Sequence, residues 1–229
     1  MRFSSDQIQK IGKEISSKVD GKTLFDEFSR GRYSTDASVY QIKPLGVVLP
    51  KDTNDVLNLM EYSQKNSIPL LARGGGSSQC GQTVGESVVL DYSKHQNKIL
   101  ELNVEEKYVW VQPGVVLDHL NSFLRPYGLW FPVDVSTSSR ATIGGMSANN
   151  SCGSRSLYYG NMVHNVLAIE AILDDGSLHT FDQINKNYLS YNDYKVKCAI
   201  GKRGIGNKTK EGDLITPKGE YNIKFILYR

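Results

Sequence analysis

Apolar residues recur at helical spacing over residues 7 to 19, where Ile8, Ile11, Ile15 and Val19 stand three and four apart among Gln, Lys and Glu. That stripe predicts an amphipathic helix. From Gly46 the pattern changes: Val47, Val48 and Leu49 predict a short strand, and Ile68 to Ala72 predict another. Between them, Val56, Met60 and Ser63 keep helical register over about 54 to 64, with Asp52 or Thr53 as N-cap. Strand, helix and strand in so few residues predict a βαβ unit whose strands pair in parallel through a right-handed crossover. Further strands are expected at 88–90, 99–102 and 108–111, the last two close enough to form a hairpin. Pro113 and Gly114 break the run, and Val116, Leu117, Leu120, Phe123 and Leu124 predict a helix that stops at Pro126 and Gly128. The chain extends again through Leu129 to Pro132, and residues 166–173, 174–176 and 177–181 read as strand, tight turn and strand. The pattern as a whole is α+β.

One stretch does not fit this alternation. Arg73-Gly74-Gly75-Gly76-Ser77-Ser78-Gln79-Cys80-Gly81-Gln82 follows directly on the strand ending at Ala72. Three consecutive glycines permit positive φ and carry no side chains, so backbone N–H groups can converge on an oxygen-rich anion. Such sites favour the carboxyl ends of strands. A Rossmann fingerprint is excluded, because Gln79 stands at its last glycine position and the chain continues into a strand rather than a helix. In a P-loop alignment Gly76 and Gly81 are correctly spaced and Thr83 takes the hydroxyl position, but Gln82 replaces the phosphate-reaching lysine. What remains is a cradle for the pyrophosphate of a dinucleotide, with a ligand-free glycine turn as the alternative. A β-branched residue at position 75 is then expected to block positive φ and cost cofactor affinity more than folding. Thr142 to Gly153 forms a second glycine-rich loop, small and polar, suited to close backbone approach to a flat ligand.

Composition narrows the classes without choosing among them. The chain has 229 residues with 39% hydrophobic content, enough for one sizeable core or two small ones. A net charge of +3 does not argue for nucleic acid or a membrane surface. Cys80, Cys152 and Cys198 are odd in number and far apart, which indicates neither a disulfide framework nor a zinc site and suits a reducing compartment. With no apolar leader at residues 1–6 and no long apolar run, the protein is expected to be soluble and cytoplasmic, without a membrane span.

Six ordered blocks carry a resemblance: Arg32-Tyr33-Ser34-Thr35-Asp36-Ala37-Ser38; Arg73 to Ser78 with Gly81-Gln82; Val111-Gln112-Pro113-Gly114; Phe131-Pro132-Val133-Asp134; Ala141 to Met146 with Asn149-Asn150; and Tyr159-Gly160. Together they resemble the PCMH-type FAD-binding domain of the vanillyl-alcohol oxidase and p-cresol methylhydroxylase flavoproteins, most like the FAD subunit of glycolate oxidase and D-lactate dehydrogenases. The resemblance implies two α+β subdomains with FAD between them, over residues 31–182 after an N-terminal helical segment at 1–30. It places the pyrophosphate on Gly74, Gly75, Gly76, Ser77 and Ser78. Pro132, Asp134, Thr142, Gly144, Gly145 and Asn149 would line the path to the flavin, with Val166 near the adenine. The first loop lacks the histidine through which some relatives attach flavin, so noncovalent FAD is implied; His95, His119, His164 and His179 lie elsewhere. No metal is implied.

After a linker at 183–193, residues 194–229 resemble the opening strands of L,D-transpeptidase (YkuD-like) domains, without that family's catalytic His and Cys motif. This expectation is of a short β-rich appendage, the product of a fusion. The activity implied is oxidation of a small 2-hydroxy acid such as D-lactate or glycolate, in a chain that stops short of the substrate-covering cap domain. The alternative is a noncatalytic remnant or assembly partner that binds another protein through the surface a cap would cover.

Overall fold

The computed structural model describes residues 3–185, 188–191, 194–197 and 221–226, and the side chains of residues 3–182. Ser4 starts the first helix, α1 (Ser5–Ser16), through a capping box: its Oγ accepts from the Gln7 N–H at 3.3 Å, and the Gln7 Oε1 accepts from the Ser4 N–H at 2.7 Å. Ile8, Ile11 and Ile15 form the buried stripe. A short strand β1 (Lys22–Leu24) and helix α2 (Glu27–Arg32), neither legible in the sequence, lead to β2 (Gly46–Leu49). Helix α3 (Thr53–Asn66) begins at Asp52, whose carboxylate accepts from the Asn54 and Asp55 N–H groups, and ends at Ser67 in the left-handed region, φ +52°. Strands β3 (Leu70–Arg73) and β4 (Val88–Asp91) complete the first sheet.

Its order is β1-β2-β4-β3. The two strands of the expected βαβ unit are parallel, but they are not neighbours: β4 lies between them, parallel to both, with Val47 and Leu71 each opposite Val89. The helical crossover spans a place that the chain fills only on its next pass, which residue patterning within one unit cannot foresee. Both faces of the sheet are covered, so β2 and β4 are buried along their whole length. Val48, Val88 and Leu90 pack with the stripes of α1 and α3, while Val47, Leu49, Leu71 and Val89 form a smaller cluster on the opposite face.

The second sheet is antiparallel. The predicted hairpin is present as β5 (Ile99–Asn103) and β6 (Tyr108–Val111). Helix α4 (Leu117–Leu124) buries Leu117, Leu120 and Leu124, and a single 3-10 turn, Arg125–Tyr127, ends it at Gly128. Three short helices follow, α5 (Ile143–Ala148), α6 (Ser156–Tyr159) and α7 (Met162–Asn165), then β7 (Val166–Ile172) and β8 (Leu178–Asn185). β8 crosses the position expected to begin a linker, and β9 (Tyr188–Tyr191) and β10 (Tyr194–Lys197) continue it as an antiparallel hairpin. From the C-terminal segment the described parts are β10 and β11 (Tyr221–Ile226); the rest of it, Cys198 included, lies outside the described residues. The order among described residues is β10-β9-β8-β7-β11-β6-β5. Its core joins Val109 and Val111 of β6 with α4, Phe131, Val133, Ile143, Met146, Met162 and Val166.

A buried carboxylate ties the first subdomain together. Asp55, 3% exposed, accepts from the N–H groups of Asp20 (2.6 Å), Gly21 (2.9 Å) and Lys51 (2.7 Å), fastening the turn after α1 to the start of α3. Replacing Asp55 with Ala strands three donors, each at roughly 1 kcal/mol or more when left unsatisfied. Urea unfolding of Asp55→Ala is therefore expected to show a loss of about 3 kcal/mol, with an unchanged m-value.

Candidate functional site

Arg73 ends β3, and its guanidinium is taken up by the protein itself. Nη1 donates to the carbonyl oxygens of Thr83 (3.1 Å) and Tyr33 (3.3 Å), and Nη2 to that of Thr35 (2.7 Å). Its charge also sits 5.3 Å from the centre of the Tyr33 ring. Burial lowers the Arg73 pKa, and the nearby Asp91 and Asp36 carboxylates act in the opposite direction. Asp36 accepts from the Ser38 N–H at 2.8 Å and the Thr83 hydroxyl at 3.0 Å. Burial alone would raise its pKa, but these hydrogen bonds outweigh it and hold the carboxyl below its ordinary value. The segment from Tyr33 to Ser38 is thereby a fixed wall. From it the Ala37 N–H donates to the Gly76 carbonyl at 3.1 Å.

The opposite wall is the backbone of Arg140 to Thr142. A Cβ on Gly74 would stand 2.0 Å from Thr142 Oγ1, and one on Gly75 would stand 2.1 Å from the Arg140 carbonyl oxygen. Neither position admits a side chain. The left-handed residue is Gly76, φ +64°, and not Gly75. The expectation that a substitution at 75 acts on the cofactor more than on the fold is therefore corrected: it would first collide with Arg140.

Thr142 to Gly153 is likewise not all loop, since α5 occupies its first half with Thr142 as N-cap. The first N–H groups of α5 are engaged, Ile143 to the Val115 carbonyl and Gly144 to that of Pro113, both at 2.8 Å. Thr142 Oγ1 makes no such contact. It is buried, has no hydrogen-bond partner among the described residues, and lies 3.3 Å from where a Cβ on Gly145 would be. Gly74 lies against it, and the N–H groups of the residues that follow, Gly75, Gly76, Ser77 and Ser78, donate to no protein group among the described residues. A buried lone hydroxyl costs free energy unless something else bonds it, and consecutive amides without protein acceptors are donors an anion can bridge.

A polar chain links the glycine turn to α5. Ser78 Oγ bonds Gln82 Oε1, Gln82 Nε2 donates to Asn149 Oδ1 at 2.9 Å, and Asn149 Nδ2 donates to the Gly145 carbonyl at 2.9 Å. Of the expected site residues, the structure thus gathers Gly74, Gly75, Gly76, Ser78, Thr142, Gly145 and Asn149; Ser77 lies within the same turn, and Gly144 meets Pro113. Pro132 is buried between Phe131 and Val133, and Val166 is a core residue opening β7. Asp134 accepts from Ser154 Oγ (2.7 Å) and the Arg155 N–H (3.0 Å); burial pushes its carboxyl up, but these bonds hold it below the usual range. Gln82, Arg73 and the Arg140 backbone are contributors that sequence reading leaves without a role. A glutamine next to a glycine turn was the available signal for the first.

Among the described residues no helix is long and apolar enough to cross a membrane, and no group of His, Cys, Asp and Glu could hold a metal ion. Two sheets meeting at side-chain-free turns, with open amides and a buried hydroxyl at the seam, define an α+β domain for a phosphate-bearing nucleotide cofactor. The FAD binding domain model matches residues 44–182; the chain belongs to that family, and its cofactor is FAD. It is 43% identical over 158 residues to D-2-hydroxyglutarate dehydrogenase of Haemophilus influenzae, covering 66% of this chain and 15% of that protein. Against the glycolate oxidase subunit GlcD of Bacillus subtilis it is 32% identical over 219 residues, 93% of this chain and 46% of the relative. The chain thus spans less than half the length of these relatives. An alkyldihydroxyacetonephosphate synthase shares the fold with a TM-score of 0.73 at 19% identity, over 96% of this chain and 40% of that one.

The half-buried phenol of Tyr33 gives a pH signature. Tyr33 donates to Asp91 Oδ2 at 2.6 Å, and burial, reinforced by that carboxylate, raises its pKa well above the ordinary 10.0. A raised pKa means the phenol's contribution is full below about pH 10 and fades as the pH climbs beyond it. Tyr33→Phe is expected to cost about 1 kcal/mol at neutral pH and to flatten the fall in stability above about pH 10, measured by urea unfolding across that range. Tyr62, raised in the same direction, stays in both proteins and supplies the residual slope.

Proposed function

We propose that this chain holds the FAD of a flavin-dependent oxidoreductase acting on a small 2-hydroxy acid. The observation that carries the reading is the buried Thr142 hydroxyl, without a partner among the described residues, facing the turn of Gly74 to Ser78. A diphosphate supplies what that seam lacks: oxygens that accept from four successive amides and from a hydroxyl. The Ser77 and Ser78 hydroxyls extend the donor set, and Gly144, Gly145 and Asn149 lie along the route from that point. Pro132, Asp134 and Val166 complete the site as its more distant lining.

When bound, FAD supplies a hydride acceptor for the α-carbon of the acid. The chain's own part is binding and orientation. Tyr33 to Ser38 and Arg140 to Thr142 hold the turn from two sides, so its amides are in place before the ligand arrives. Retention without a covalent bond follows from the residue types present, since no histidine lies in the turn between Arg73 and Gln82. The substrate class is supported by relatives named for D-2-hydroxyglutarate and D-lactate.

Purified protein mixed with FAD is expected to keep a flavin spectrum after desalting, to release all of it on acid precipitation, and to bleach anaerobically with one of D-lactate, glycolate or D-2-hydroxyglutarate. Colourless protein after desalting would sink the proposal. Thr142→Val separates ligand binding from folding: removing a lone buried hydroxyl should leave the melting temperature of the FAD-free protein equal or slightly higher, while FAD affinity falls about tenfold, as expected for a lost hydrogen bond to a charged group. Equal FAD affinity in the variant, measured by fluorescence titration, would remove Thr142 from the site.

A further inference from the structure

The strand that closes the second sheet comes from outside the family match. β6 and β7 do not pair with each other; β11 stands between them, antiparallel to both. Ile223 is opposite Val111 on one side and Ile169 on the other, and Phe225 is opposite Val109 and Val166, with a register shift between Lys224 and Phe225 on the β7 side. The matched region ends at residue 182. Within the sheet, the β5–β6 hairpin is joined to β7 through β11 alone among the described strands.

We propose that the gap between β6 and β7 is a strand-acceptor site, a slot for an extended peptide of five or six residues, which residues 221–226 occupy as an intramolecular ligand. Its walls are suited to that occupant. Val109, Val111, Ala168 and Ala171 are buried there, and an empty slot would leave two rows of N–H and C=O groups unpaired inside the sheet. The occupant also reaches the cofactor seam, a consequence that rests on the functional proposal above. α5 packs on β11, and β6 runs straight into Gln112 and Pro113, whose carbonyl holds the Gly144 N–H at 2.8 Å. Thr142 and Gly145 are therefore positioned from below by a strand that arrives from the far end of the chain. Filling the slot sets the seam; emptying it releases α5.

The test uses the full chain carrying Ile223→Pro and Phe225→Pro, which remove ladder donors on a central strand. The variant is expected to melt at least 10 °C lower and to lose FAD on desalting. A fluorescein-labelled peptide of residues 219–229 should bind the variant saturably, leave the wild type unlabelled, and restore both properties. Wild-type melting in the variant, or a folded variant that takes up no peptide, would overturn the slot. Should the variant not fold, two cysteine pairs decide in an otherwise native chain with Cys80, Cys152 and Cys198 changed to Ser. Val109→Cys with Phe225→Cys, and Trp110→Cys with Lys224→Cys, sit opposite each other, and mild oxidation should close at least one pair within a single chain. No cross-link in either would refute the placement. A cross-link in either pair, together with unaltered protein that holds no FAD, would sink the functional proposal and leave the slot standing.

Discussion

The glycine turn lies so close to the segment 140–142 that it has no room for a side chain, and the two halves of the molecule are arranged around that contact. Gly74 lies against the Thr142 side chain and Gly75 against the Arg140 backbone carbonyl, with no space for a Cβ at either. Contacts this close leave little slack, so both walls must be fixed from behind. On one side this is done by Arg73, whose guanidinium gathers three carbonyls from Tyr33, Thr35 and Thr83. On the other, Leu117 donates to Ala141 and Ile143 to Val115, zipping the segment before α4 to the segment before α5. The phosphate-binding reading is a by-product of that geometry: once side chains are excluded, the amides of the turn have only a ligand or solvent to address.

In the first half, the buried Asp55 and Asp91 and the part-buried Arg73 are satisfied chiefly by backbone and hydroxyl partners, and no bidentate carboxylate–guanidinium pair holds them. Backbone partners are numerous and do not themselves have to be desolvated as ions, which keeps the penalty of burial low compared with an ion pair. Such ties fix direction as well as energy. Asp55 sets how α1 joins α3, and Arg73 sets how the Tyr33 segment lies against the glycine turn.

Local pattern was a good guide wherever a face was buried against its own neighbourhood. The stripe of Ile8, Ile11 and Ile15 is α1, the cap at Asp52 starts α3, and Val109 with Val111 face the core of the second sheet. It failed where the partner came from far along the chain. Nothing in residues 46 to 73 announces that β4 will lie between β2 and β3. The glycine at 75 was legible as a requirement but not its cause, because the Arg140 carbonyl that excludes a side chain is supplied from a different segment. Glycines and serines dominate the second glycine stretch and point to loop, whereas Ile143 and Met146, buried three apart, are the two anchors that make α5 a helix. The link from Gln82 to Asn149 is of the same kind: two polar residues, individually unremarkable, that meet only in the folded chain.

The position of β11 also bears on when this protein can become itself. Every strand it pairs with, and the helix packed on it, precedes it in the sequence, so during synthesis the β5–β6 hairpin and β7 emerge with a place held open between them. Pairings between residues as distant as Val111 and Ile223 are slow to form and expose edges in the meantime. The first sheet, whose strands all lie within residues 22 to 91, faces no such wait. The half that carries the glycine turn is thus ready early, the half that carries α5 late, and the interval between them is the time in which an unfinished chain is most exposed to pairing with the wrong neighbour.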